Sequence, residues 1–269
     1  MWEPLTIVLS IVLAAVLAVT AMFGVNVRSA HYRRLSTMID SAETGQGARV
    51  AINNSATPDF SKRLVSIPSF LASEPFAELK SQCTRLVSAE RSFIPTHKKG
   101  GTVAYETIVQ EAPGIVAFYH APVLRKFVSQ VVGIGVEPTP LHDQSSLSVL
   151  FYDRPGDHIG WHYDHNFYRG RHFTVLLPLV NEGHATEGLS SAQLMAWLDE
   201  REIVLPTPPN TLVVFEGAKV LHRVTPVAEG ERRMVLSMTF ASDPRSGPLR
   251  GAARRIKDTA FFGIRALWT

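Results

Sequence analysis

With 269 residues, of which 45% are hydrophobic and 19% charged, and a net charge of +3, the chain is long enough for one sizeable folded domain and carries an apolar surplus besides. A single cysteine, Cys83, excludes an intramolecular disulfide and fits a reducing compartment. Charge is unevenly spread: residues 245–269 hold six Arg or Lys against Asp258 alone, so this tail is +5 and the remainder −2. That asymmetry favours an anionic membrane surface over nucleic acid as partner.

In chain order, residues 5–25 form an uncharged, largely apolar run of about the length that crosses a bilayer as a helix. Glu3 precedes the run, and Arg28, Arg33 and Arg34 follow it. A cleaved signal peptide would carry its positive charge first. The expectation is therefore a single-pass anchor over residues 1–27 with the rest of the chain on the cytoplasmic side. Residues 28–63, rich in small polar residues between 35 and 60, read as a linker. Within it, Asn53-Asn54-Ser55 matches a glycosylation acceptor, a triplet common by chance.

Order is expected to resume with a strand at 64–68 and a helix over 73–87, opened by Ser73-Glu74-Pro75. A second helix fits 121–132, where Leu124, Phe127, Val128 and Val131 recur at helical spacing, and 133–140 breaks the pattern. Beyond 145, runs rich in Val, Leu, Phe and Thr at 147–152, 172–179, 193–198, 202–205, 211–215 and 232–240 are separated by turn residues. Serial strands of this kind indicate a sandwich or barrel. The fold class expected is mainly β with flanking helices: a helical layer buttressing an antiparallel double-sheet roll.

The chemistry concentrates in His162-Tyr163-Asp164, followed by His222 and Arg232. Two imidazoles and one carboxylate form the facial set that binds non-haem Fe(II) with coordination positions left open. His162 and Asp164, two apart at a strand end, point the same way. A His-x-Asp alone is common by chance; the final strand adds weight. There Arg232 heads a stripe of Met234, Leu236, Met238 and Phe240, and a buried guanidinium calls for an anion, best a carboxylate held by both arms of the fork. A one-residue slip of register would exchange Arg232 and Arg233. His158 and His162 are four apart, but Ile159 and Gly160 do not suit a helical zinc site. His165 and His172 are ordinary loop histidines or orienting groups.

The stretch 152–164, then 174–179, then His222-Arg223-Val224-Thr225-Pro226-Val227 with Gly230-Glu231-Arg232, resembles the Fe(II)/2-oxoglutarate-dependent dioxygenase superfamily, nearest its prolyl-hydroxylase-like branch. The resemblance implies a double-stranded β-helix, or jelly roll, in a domain over 64–244 with its core at about 145–243. It implies that His162, Asp164 and His222 bind iron, that Arg232 anchors the distal carboxylate of 2-oxoglutarate, and that Tyr152 and, more weakly, Thr174 contact this cosubstrate. Dioxygen is the co-reactant and ascorbate a further candidate. The implied reaction decarboxylates 2-oxoglutarate to succinate and hydroxylates an unactivated carbon of a lipid, a small hydrophobic metabolite or a protein side chain. With Asp164 present no ligand position is vacated for halide, so halogenation is disfavoured. Ser191-Ala192-Gln193-Leu194 departs from the Gly-Gly-Glu-Leu common in the superfamily.

In the tail, Ala253, Ile256, Ala260, Ile264 and Leu267 share one helical face, which suits either an interfacial helix or docking on the roll. The rival to an enzyme is a catalytically silent jelly-roll module tethered to a membrane. A cupin-like hydrolase or isomerase is a third reading.

Overall fold

In a computed structural model the described residues are 3–45, 50–53, 57–86, 90–94 and 97–262, without the side chains of 3–10, 17, 20, 21, 45, 90, 92–94, 260 and 261. Helix α1 (Glu3–Gly45) is continuous. The linker expected from residue 28 is therefore helix as far as Gly45. Leu35, Ile39 and Ala42, spaced by four and three, are buried in the main core. His31 pairs with Glu106 and Glu43 with His120, tying this half of α1 to the domain. The surrounding Ser, Thr and Ala residues suit a helix surface as well as a loop, and that hides the docked stripe. Among the described residues no helix is long and apolar enough to cross a membrane, so the expected transmembrane span finds no support there. Ile11, Val12, Leu13, Val16, Val19, Met22, Phe23 and Val25 of the same helix are exposed. Asn53 spends its side-chain amide on the carbonyls of Ser69 and Leu71, a structural use of the presumed acceptor; the triplet's other two residues lie outside those described.

β1 (Leu64–Ile67) leads to α2 (Ser73–Arg85), whose N-cap is Ala72 without a side-chain cap bond. The hairpin β2 (Glu90–Ile94) and β3 (Lys98–Val103) and the helices α3 (Tyr105–Glu111) and α4 (Pro113–His120) follow. None of these four is expected from the sequence. Ile115 through Tyr119 of α4 are all buried, so no amphipathic period exists to be read. The Lys-Lys-Gly-Gly start of β3 has the composition of a loop. α5 (Pro122–Val132) starts with proline and stops at Gly133, left-handed at φ 69°.

The remaining strands are β4 (Glu137–Pro138), β5 (Leu147–Tyr152), β6 (His158–His162), β7 (His172–Glu182), β8 (Leu194–Leu198), β9 (Arg201–Leu205), β10 (Leu212–Phe215), β11 (Leu221–Val224) and β12 (Arg232–Ala241). They pair in the antiparallel order β1-β10-β7-β12-β5-β3-β6-β11-β8-β9, with β2 beside β3 and β4 beside β12. One apolar cluster joins α1–α5 to one face of β5, β7, β10 and β12. A second joins Tyr152, Leu176, Phe215 and Val235 to Leu194, Ala196, Leu205 and Val224 across the two halves of the sheet. The sheet is thus folded into a nearly closed roll with helices outside one half, the jelly-roll arrangement expected. β7 is buried at every position but its last, because helices cover one face and the opposite half of the roll the other.

The final helix, α6 (Pro248–Phe262), docks differently from expectation. Ile256 is 73% exposed, whereas Arg254, Asp258 and Phe262 are buried. Ile264 and Leu267 lie outside the described residues, as does the side chain of Ala260. The buried seam is charged: Arg254 Nη1 reaches Asp258 at 2.7 Å, and Lys257 Nζ reaches Asp258 at 2.9 Å and Asp143 at 3.1 Å. Arg254 and Asp258 sit one turn apart and offset each other's charge, so the polar face can go inward.

Candidate active site

The turn before β6 is built around Asp157. Its fully buried carboxylate accepts the backbone N–H of Asp153 and Arg154 and two bonds from Nη2 of Arg91, whose Nη1 donates to Asp153. Gly156 takes φ +80°, where a side chain would be strained. β6 then runs antiparallel to β11 with His162 directly opposite His222. These two residues, 60 apart in the chain, are thereby neighbours, with ring centroids 4.2 Å apart. Each Nδ1 faces the carbonyl two residues earlier, His162 to Gly160 at 2.8 Å and His222 to Val220 at 3.0 Å. That bond assigns the proton to Nδ1 and leaves both Nε2 atoms as ligands.

Asp164 completes the group. Its Oδ1 lies 3.6 Å from His162 Nε2 and 3.8 Å from His222 Nε2, and one donor atom from each of the three residues lies within 4.8 Å of the others. The backbone N–H of Asp164 donates to Gly217 O, and Thr174 Oγ1 donates to Asp164 Oδ2 at 2.5 Å. A Cβ on Gly217 would stand 2.5 Å from that Oδ2 and 2.7 Å from Thr174 Oγ1, so position 217 must be glycine for the carboxylate to stay in place. Burial alone would raise the Asp164 carboxyl, but His222 and His162 outweigh it and hold it well below the usual carboxylate range. Burial lowers His222, and Asp164 raises His162 despite burial.

The triad stands on the wall of a cavity of about 190 Å³. Tyr152 and Thr174, both expected at the cosubstrate, line it, as do His165 and His172. Thr174 is spent on holding Asp164. The two arginines of the final strand lie on opposite faces. Arg232 is exposed and pairs across the sheet with Glu182, on the side of Cys83 and α2. Arg233 lies opposite Tyr152 in the antiparallel pair, so the two share the inner face. It is 1% exposed, with Nη2 on Thr207 Oγ1 at 3.0 Å and Nη1 on Ala192 O at 3.4 Å. Its Nε and the Tyr152 hydroxyl are buried without partners, and among the described residues no carboxylate pairs with Arg233. A buried, unpaired guanidinium costs several kcal/mol by its desolvation, so this arrangement suits an anionic guest. The donor set likewise suits a divalent first-row metal, and both groups named by the resemblance fit the residues present.

Four further lining residues were not among those expected: His97, Lys98, Asp143 and Lys257. His97 meets the His162 ring edge-on at 5.3 Å. Lys98 is buried, with Nζ on Thr102 Oγ1 at 2.6 Å, and burial lowers it to about 8. Asp143 accepts from Tyr168 at 2.6 Å; burial would raise it, but Lys257 and Tyr168 hold it at about 2. In the sequence these residues lie scattered in loops and edges, with no spacing that links them.

The family model for Halogenase D matches residues 54–248. The chain belongs to the Halogenase D family. In fold the chain is similar to solved 2-oxoglutarate and Fe(II) oxygenases. The chain is similar to the epimerase SnoN from nogalamycin biosynthesis, at 12% identity and TM-score 0.56 over 68% of this chain and 77% of that one. It is similar to a Pseudomonas putida prolyl-4-hydroxylase, at 20% identity and TM-score 0.52 over 79% and 100%. A third is a Trichoplax adhaerens prolyl hydroxylase in complex with a hypoxia-inducible-factor peptide fragment, at 14% identity and TM-score 0.53 over 84% and 94%. No curated protein matches the sequence.

Proposed function

We propose that this chain is an Fe(II)- and 2-oxoglutarate-dependent dioxygenase that hydroxylates an unactivated carbon of a small polar molecule or a protein side chain. The observation that carries the reading is the convergence of His162, Asp164 and His222 on the wall of a cavity lined also by Tyr152, the strand partner of the buried Arg233, which no carboxylate among the described residues neutralises. When bound, iron with 2-oxoglutarate and dioxygen supplies the oxidising power, with succinate and carbon dioxide as the products from the cosubstrate. The chain's own residues do the rest. The Nε2 atoms of His162 and His222 and a carboxylate oxygen of Asp164 hold the metal. Arg233 and the Tyr152 hydroxyl receive the distal carboxylate. Thr174 keeps Asp164 from turning, and Phe215, against the His222 ring at 4.6 Å, keeps water from that side.

Hydroxylation is favoured over the halogenation in the family's name because Asp164 fills the position that a halide would need. Lys98 and the Lys257–Asp143 pair put polar groups in the lining, which favours a substrate with hydrogen-bonding groups over a lipid chain. Attachment to a bilayer through α1, with the domain on the cytoplasmic side, belongs to the same reading. It is supported by the exposed apolar residues between Ile11 and Val25 and the arginines that follow; alkaline extraction of membranes from expressing cells tests it, release into the soluble fraction counting against it. The activity is tested by succinate formation from the full chain with Fe(II), 2-oxoglutarate and air. Turnover in the wild type and its loss in His162→Ala are expected. The absence of iron-dependent turnover with a broad substrate panel moves the reading to a silent binding module.

A further inference from the structure

A second group of cations gathers where α1 passes α6, around a depression that shares no lining residue with the cavity. Arg28 of α1, Arg254 and Arg255 of α6, His142 and Ser246 line a depression of about 480 Å³, and none of its lining residues is acidic. Arg254 is 2% exposed; Nη1 goes to Asp258, but its Nε is buried without a partner. Burial, then Arg255 and Arg254, push Arg28 below its ordinary value. Burial, then Arg254, push His142 down to about 4, so its ring is neutral and offers one N–H. Like charges brought together and partly desolvated repel and destabilise the fold unless an anion joins them. The start of α6 at Pro248 adds the positive end of its helix dipole to the same depression.

We propose that this depression is a binding site for a phosphate group. The forks of Arg28 and Arg255, presented by two helices with the unpartnered Nε of Arg254 beside them, match a tetrahedral, multiply charged anion, whereas a carboxylate needs only one fork. Ser246 and His142 add short-range donors. The group can reach the site as free phosphate or on the headgroup of an anionic phospholipid. The headgroup has a route, because Val25, Ser29 and Tyr32 border an adjoining depression that leads from Arg28 towards the exposed apolar part of α1.

The full-length chain is titrated with inorganic phosphate by calorimetry and, in a second arm, floated with phosphatidylcholine vesicles with or without phosphatidic acid. Arg28→Gln with Arg255→Gln is compared with a charge-matched control, Arg34→Gln with Lys126→Gln, at two exposed positions. Removal of two charge-assisted contacts is expected to weaken phosphate binding, or the preference for phosphatidic acid, about tenfold or more, with the control unchanged. Without phosphate the double variant should melt no lower than wild type, since it loses repulsion. Saturable phosphate binding without a vesicle preference assigns a soluble phosphate; a preference that free phosphate abolishes assigns a headgroup. The proposal is overturned if wild type shows neither, or if the double variant binds as wild type does.

Discussion

The two faces of β12 divide the labour of the molecule between them. On one, Met234, Leu236, Met238 and Phe240 are each fully buried against the helical layer. On the other, Arg233 and Val235 sit inside the roll, and Ser237 and Thr239 line the cavity. Alternation along a strand sends neighbouring residues to opposite faces, so one ten-residue strand serves the stability core and the site at once. The apolar stripe marks the face that packs on helices. The functional face is the mixed one, which carries an arginine and hydroxyls.

The comparison breaks if mutations on the two faces behave alike. The largest effect on stability is expected from Leu236→Ala, about 2–5 kcal/mol, because its neighbours close only partly over the space; denaturant unfolding measures it, and activity per folded molecule should hold. On the site side, Thr174→Val should leave folding intact and weaken iron binding about 10–100-fold by freeing the Asp164 carboxylate, read by metal titration. Asp143→Asn should cost about 1–2 kcal/mol at neutral pH. The Asp143 carboxyl is held at about 2 in the folded protein, below its unfolded value of about 4. Its contribution is therefore present above that unfolded value and lost as pH falls through about 2, so wild type and variant should converge in acid melting curves. Ser237→Ala, on the cavity face, should cost under about 1 kcal/mol; a loss as large as that of Leu236→Ala would erase the distinction.

The β-rich half is legible because its strands are short, apolar and separated by turn residues; β5 and β12 fall within one residue of their expected limits. The metal group is legible because His162, Asp164 and His222 are a rare combination and strand pairing brings them together. Which arginine turns inward is not legible for the reason β12 exposes: burial cost argues for an inward guanidinium, but an apolar stripe does not say which interior it faces. Lys98, Asp143 and Lys257 escape notice since their convergence depends on the hairpin and α6, whose inward face is polar. The docked half of α1 escapes because its stripe of three residues, Leu35, Ile39 and Ala42, follows an apolar run that dominates the reading.

The central claim is that the inward-facing arginine, and not its neighbour, receives the cosubstrate. The 2-oxoglutarate concentration dependence of succinate formation should be measured for wild type, Arg232→Ala and Arg233→Met under one iron concentration. The account predicts a KM within about twofold of wild type for Arg232→Ala and raised about a hundredfold for Arg233→Met, the loss of a bidentate charged contact. A normal KM in Arg233→Met, or the large rise in Arg232→Ala, would contradict it.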